Sequence, residues 1–316
     1  YICSACDVAR YPYRRKDMIK IGDICPVFFN PLKYQFSRDI DYVQKFHSSD
    51  HILLQIFADD RETVSGVLHD LVRESTVSIN FSSYDVNEYT KMYYCALLLE
   101  GYGDSTYSLS LSFSTGENLK SEPFMVCSSS DLLNATSLIR FSHKDNNSPF
   151  DNIFWIEDQQ QVFDFRLEAG FKPSGISFNV SNEQFRNQFQ EIEELYSIPY
   201  KNMILQCGDS VGLPYWYAEF INKILCLSKF DVNGIGYVRS EGNVPEMSQL
   251  YEDGQMFHFS IRLEPRINDI LGIGGRPESA TGSSVVGFII DNPKDGEMLQ
   301  YKGSKAAFVN VDNVGV

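Results

Sequence analysis

The sequence has no apolar run approaching the roughly 18 residues that carry a helix across a bilayer. Basic charge is scarce: 27 Lys and Arg stand against 42 Asp and Glu, a net −15 at pH 7. A nucleic-acid partner needs a basic face to neutralise phosphates, and an anionic membrane surface needs the same, so this balance argues against both. There are only five histidines, and they are scattered. His47 and His51 have an i, i+4 spacing, but they flank Ser48-Ser49-Asp50, which reads as a turn entering a strand. A surface-turn role is expected for them rather than zinc. His258, between Phe257 and Phe259 in an alternating segment, reads as an outward-facing sheet residue.

Cysteine is sparse too. Seven residues, an odd number spread over 316 positions, do not form a disulfide framework. Cys3-Ser4-Ala5-Cys6 lacks the second ligand pair of a structural zinc site. Cys95 and Cys226 lie in apolar runs and read as small buried hydrophobes, which suits a reducing compartment. Gly272-Ile273-Gly274-Gly275 runs into Arg276-Pro277 and lacks the strand-to-helix setting of a dinucleotide loop. Asp145-Asn146-Asn147 lacks the glycine and the closing glutamate of a calcium loop. No nucleophile elbow is read, and Ser210, after Asp209, has no histidine partner. Acidic residues such as Glu191, Glu193, Glu194, Asp209, Glu241, Glu246, Glu252 and Asp253 could be paired on paper for glycoside hydrolysis, but spacing alone does not place two of them across a cleft. The expectation is no catalytic residue, no cofactor and no metal.

What the chain does have is aromatic residues, 23 Phe and 18 Tyr, arranged in β patterns. His51 to Phe57 is an apolar run of strand length. Val77, Ile79 and Phe81 alternate with Ser78, Asn80 and Ser82, and Tyr107, Leu109, Leu111 and Phe113 alternate with serines. Lys91–Leu99 and Phe124–Cys127 are further strands, with turns expected at 83–87, 101–104 and 116–118. This pattern predicts an immunoglobulin-like β-sandwich over residues 18–130. A boundary is expected between 128 and 150, followed by an α+β domain over 150–316 packed on the first. There, strands are expected at 161–167, 203–207, 256–263, 285–290 and 307–311, with a hairpin around Asn233-Gly234. Phe185, Phe189, Ile192 and Tyr196 step by 4, 3 and 4, predicting a helix over about 182–197. A second helix is expected over 214–228, with Pro214 in its first turn. The fold class is therefore mainly β, with an α+β second half carrying two helices.

Tyr215, Trp216 and Tyr217 form the densest aromatic cluster. They are candidate interface residues together with Gly272, Gly274 and Gly275 of the glycine-rich stretch 271–284, which reads as an exposed loop. The plainer reading of Pro214–Tyr217 is a helix start packing on the sheet. Residues 1–17 read as an N-terminal arm or the remnant of a translated fragment, without the apolar core of a secretory signal. Four sequons, starting at Asn80, Asn134, Asn146 and Asn179, are accordingly read as chance.

Several segments carry a resemblance. They are Tyr42–Phe46, Asp50–Ile56, Ser121–Phe124, Phe150–Trp155, Phe163–Phe171 and Tyr237–Gly242. In order and spacing, over about Met18 to Leu263, they resemble structural proteins encoded by phages and prophages of gut Bacteroides and relatives. The resemblance implies a virion component of the tail or baseplate whose β-domains serve assembly. It implies other virion proteins and copies of itself as partners, and a life in the host cytoplasm before incorporation into the virion. It supplies no catalytic residues. The competing classes are a carbohydrate-binding or cell-surface adhesion module, for which a glycan would be the partner, and a glycan-acting hydrolase.

Overall fold

The computed structural model describes residues 19–29, 42–249 and 256–267, together with the backbone of three strands nearer the C-terminus. The chain divides into two compact units, Tyr1–Ile267 and Asn268–Val316. The fold is mainly β, as its alternating sequence predicts. No helix among the described residues is long and apolar enough to cross a membrane.

The first ten strands are β1 (Lys20–Ile21), β2 (Gln44–His47), β3 (His51–Asp59), β4 (Val64–Asp70), β5 (Ser75–Ile79), β6 (Ser82–Asn87), β7 (Thr90–Leu98), β8 (Ser105–Phe113), β9 (Asn118–Lys120) and β10 (Phe124–Cys127). They make two sheets, one in the order β1-β3-β7-β6, the other β2-β10-β8-β4-β5 with β9 also on β8. Ile52, Leu54, Ile56 and Leu97 of the first sheet meet Phe46, Leu68, Leu109, Leu111, Phe124 and Val126 of the second in one buried cluster. In β8 the serines alternate with these apolar residues because successive side chains of a strand point to opposite faces. The turn expected at 83–87 is instead strand β6, whose residues Ser82–Tyr84 pair with Met92–Tyr94. β6 lies at a sheet edge, where polar side chains are tolerated on both faces. Val77, on edge strand β5, is likewise exposed.

After a single-turn helix, α1 (Ser130–Ala135), come β11 (Ser137–Ser142), β12 (Trp155–Ile156), β13 (Gln159–Gln160), β14 (Phe163–Leu167), β15 (Ala169–Phe171), β16 (Ser177–Arg186), β17 (Ile192–Cys207) and β18 (Leu213–Pro214). Helix α2 (Tyr215–Ile224) follows, then β19 (Lys229–Val232), β20 (Ile235–Arg239), β21 (Glu246–Gln249) and β22 (Met256–Pro265). The main sheet runs β14-β11-β19-β20-β22-β17-β15, with β16 also on β17. Asn233 and Gly234 take φ of 50° and 82°, the left-handed pair that closes a tight hairpin between β19 and β20. On α2, Tyr217, Phe220, Ile221 and Ile224 form the buried stripe expected at this spacing. They pack into a core with Phe141, Phe163, Phe165, Phe230 and Phe259. The Phe165 and Phe220 rings lie 4.5 Å apart.

The helix expected over about 182–197 is absent. Residues 182–197 belong to β16 and β17, which pair in antiparallel register from Ser177↔Asn202 to Arg186↔Ile192. The 4-3-4 spacing of Phe185, Phe189, Ile192 and Tyr196 predicts one buried helix face, but all four side chains are exposed. No core collects them, so helical periodicity has nothing to act on. Cys226 also departs from expectation: in the turn ending α2, Leu225 and Leu227 point inward and Cys226 is exposed. Cys95 is half-buried.

In the second unit, β23 (Phe288–Ile289), β24 (Met298–Lys302) and β25 (Ala307–Val311) form a three-stranded sheet with β25 central, parallel to β23 and antiparallel to β24. The N-terminal arm 1–17, the glycine-rich stretch 271–284, Glu252 and Asp253 lie outside the described residues.

Candidate functional site: a projecting hairpin on a charged seam

β14 positions everything that follows. All five of its residues are buried. Phe163, Phe165 and Leu167 face the aromatic core. The intervening residues and Glu168 face the sandwich and meet charged partners there. Arg166 Nε and Nη2 donate to the two carboxylate oxygens of Asp50 at 2.6 and 2.7 Å, and Nη1 donates to Thr136 Oγ1 at 3.0 Å. Arg166 is 3% exposed and Asp50 2%, so this is a buried bidentate pair. Asp164 takes Arg140 Nε at 2.8 Å and His51 Nδ1 at 2.9 Å. Glu168 takes the Tyr42 hydroxyl at 2.6 Å and the Lys45 ammonium.

His51 is thus a seam residue and not the surface-turn residue expected. Its Nε2 lies 2.9 Å from the Val162 carbonyl and its Nδ1 faces a carboxylate, two acceptors that only an imidazolium satisfies with both N–H groups. The Asp164 contact accordingly raises the His51 pKa, and burial only partly opposes it. For Asp164, burial pushes the pKa up, but the His51 and Arg140 contacts outweigh it and hold the carboxyl below its ordinary range. Beside them, burial and the neighbouring Tyr217 and Glu168 push the Tyr42 hydroxyl well up. β3 completes the seam. Its even residues face the sandwich core, while Leu53 and Phe57 pack into clusters with the second half and Gln55 donates to the Ile153 carbonyl at 2.6 Å. Asp164 and Arg166 of β14, with Glu168 after it, and the buried face of β3 join the two halves of the first unit.

From that joint the β16–β17 hairpin projects. Ten residues of β16 at ~3.3 Å each give an arm about 30 Å long. Its apolar residues are in water: Phe178 is 84% exposed and Phe189 75%, and Val180, Phe185, Ile192, Leu195, Tyr196 and Ile198 are exposed with them. The tip is organised by Asn187. Its carboxamide oxygen accepts from Phe189 N at 2.9 Å and Glu191 N at 3.0 Å, and Gln190 takes a left-handed φ of 68°. Leu195 has no cross-strand partner, because the register shifts between Glu183↔Tyr196 and Gln184↔Glu194. The edge of β17 opposite β16 carries no strand from Ile192 to Asn202 among the described residues, since β22 joins it only at Met203. Such an arm satisfies no chemistry of its own. What it presents to solvent is a row of apolar side chains.

Trp216 and Tyr217 of the expected aromatic interface lie in the core, Trp216 at 9% and Tyr217 at 1% exposure, and Tyr215 is partly buried beside it. The cluster is the start of α2 packing on the sheet. Gly272, Gly274 and Gly275 lie outside the described residues. The arm went unseen because its apolar residues imitate a helix stripe.

Two further features bear on chemistry. Contrary to expectation, an elbow-type spacing exists: Gly208-Asp209-Ser210-Val211-Gly212 lies between β17 and the β18–α2 segment. Positive φ falls on Gly208 and Gly212 and not on Ser210, which therefore lacks the strained conformation of an elbow nucleophile. Asp209 organises the turn instead: its carboxylate accepts from Val211 N at 2.8 Å and its carbonyl accepts a hydrogen bond from His258 Nε2. His258 is half-buried at a polar groove of about 280 Å3. The groove also holds Lys172, Gln206, Ser248, Ser260 and a single carboxylate, Glu246. Of the other acids proposed from sequence, Glu191, Glu193 and Glu194 lie on the arm. Among the described residues no three His, Cys, Asp or Glu side chains gather as metal ligands. Compared with family models, curated proteins and solved structures, the chain matches none.

Proposed function

We propose that the chain is a non-enzymatic structural protein of a phage or prophage virion, a tail or baseplate component that acts through protein–protein assembly. The observation that carries this reading is the projecting hairpin. A hairpin that leaves this many apolar side chains in water needs another surface to cover them. The resemblance to structural proteins of Bacteroides phages supports it. Three of the segments that carry that resemblance, Tyr42–Phe46, Asp50–Ile56 and Phe163–Phe171, meet at the charged seam from which the arm is held. The N-terminal sandwich is read as an immunoglobulin-like module. Its strand orders correspond to A-B-E-D for β1-β3-β7-β6 and to A′-G-F-C-C′ for β2-β10-β8-β4-β5.

The test is incorporation. Particles released by inducing a lysogen that carries the gene, purified on a density gradient, should contain the chain at fixed stoichiometry to the other structural proteins. A chain found only in the soluble fraction would refute the reading. Specific hits on a glycan array would instead favour the adhesion module.

A further inference from the structure

We propose that Lys45 and Glu168 join in an intramolecular isopeptide bond, Nζ to Cδ, that staples the sandwich to the second half of the first unit. The inference goes beyond the assembly reading and holds whatever the chain assembles with.

The two side chains are held together by well-fixed elements. Lys45 lies on β2, where it pairs with Met125 of β10. Its neighbour Phe46 is buried in the sandwich core, so Lys45 points away from that core. Glu168 directly follows β14, and its carbonyl accepts from Gly208 N at 2.7 Å. The Lys45 ammonium meets Glu168 Oε1, while the Tyr42 hydroxyl donates to Oε2 at 2.6 Å, so each carboxylate oxygen has its own partner. The Glu168 side chain is 4% exposed and that of Lys45 31%. The surroundings are aromatic: the buried Tyr217 ring lies 5.2 Å from that of Tyr42 and 5.0 Å from that of Phe28. An amine and a carboxyl fixed in contact react as one molecule and not two, which removes most of the entropic barrier. Burying an ion pair is costly, and a neutral amide in its place removes both charges.

The step needs no second reactant. Lys45 passes a proton to Oε1, and the lone pair of the neutral amine attacks Cδ. As the Nζ–Cδ bond forms, negative charge gathers on Oε2, where the Tyr42 hydroxyl stabilises it. Oε1 takes a second proton from Nζ, the Cδ–Oε1 bond breaks, and water leaves past the part-exposed lysine. One hydrogen stays on the nitrogen, Oε2 becomes the amide oxygen, and nothing is oxidised or reduced.

The experiment is the intact mass of the full chain, denatured after prolonged incubation in its native state. It should fall short of the sequence value by one water, and protease digestion should yield a branched peptide joining the Lys45 and Glu168 segments. Lys45→Arg keeps the positive charge and should show its full sequence mass. Tyr42→Phe should convert more slowly, read as the fraction short of one water over time. A parent at its full sequence mass overturns the inference, and so does a deficit that persists in Lys45→Arg, since the water would then be lost elsewhere. The parent's mass depends on no variant folding. Incorporation into particles is read separately, so failure of the bond leaves the assembly role standing.

Discussion

Replacing Arg166 by methionine should be among the most damaging single changes in the chain. Methionine follows much of the arginine stem, so little volume is lost and the effect is chiefly electrostatic. Three donors vanish: the two to Asp50 at 2.6 and 2.7 Å and the one to Thr136. Asp50 remains buried, with the His47 N–H at 2.8 Å as its donor. Leaving one member of a buried ion pair uncompensated costs about 3–5 kcal/mol. The double variant Asp50→Leu/Arg166→Met removes both charges and should recover most of that loss. It should remain roughly 1 kcal/mol below the parent, because the His47 N–H loses its acceptor. Urea unfolding followed by circular dichroism, on the parent, both single variants and the double, gives the coupling energy. If Arg166→Met costs under about 1 kcal/mol, or the two single losses simply add, the seam is not the buried pair described and the reasoning fails.

Three further outcomes are expected. His51 has a raised pKa, so its stabilisation is complete below the ordinary value of 6.5 and fades as pH climbs through the raised one. Asp164, with a lowered pKa, contributes above 3.8 and loses that contribution as pH falls through its lowered value, so the pair is strongest between these two reference values. The stability difference between parent and His51→Gln, from urea midpoints across this range and into the alkaline side, should shrink as pH rises; a flat difference contradicts the assignment. Burial pushes the Cys25 thiol up to about 12 and raises that of Cys207 as well. Iodoacetamide with peptide mapping should therefore mark Cys226 in the native protein and reach Cys25 and Cys207 only after denaturation, and equal labelling of Cys207 would count against the packing. Gly208 has φ +98° and a β-carbon there would lie 2.7 Å from the His258 ring, so Gly208→Ala should lose about 1–3 kcal/mol. Gly101→Ala, with open space around it, should lose far less when thermal melts of the two variants are compared.

Strand β8 and helix α2 were legible because each has one face on a core, and period 2 or 3.6 then records that face directly; β3, buried on both faces, was legible instead as an unbroken apolar run. The hairpin at Asn233-Gly234 was legible for a local reason, the left-handed φ both residues accept. The arm was illegible for the converse reason: Phe185, Phe189, Ile192 and Tyr196 are apolar but exposed, so their spacing reports no burial. The seam was half legible. Phe163 to Leu167 alternates as a half-buried strand should, but Asp164 and Arg166 are as buried as their apolar neighbours. A polar face that meets water and one that meets a second polar face have the same pattern in one sequence. Only the partners, Asp50 and His51 more than 100 residues earlier, tell them apart.

The separation of those partners sets an order on synthesis. The last sandwich strand ends at Cys127 and β14 ends at Leu167, so at ribosomal speed the seam strand follows the finished sandwich by about 2 to 8 s. In that interval the outer face of β3 waits uncovered, and on it Asp50, His51 and Gln55 interrupt Leu53 and Phe57. A nascent sandwich is thus released with a waiting face too polar to act as a sticky apolar patch. When β14 arrives, a slip of one residue would drive Asp164 and Arg166 among the phenylalanines and leave Phe165 against Asp50. Correct docking is inspected by charge before the arm, still later in the chain, has been made.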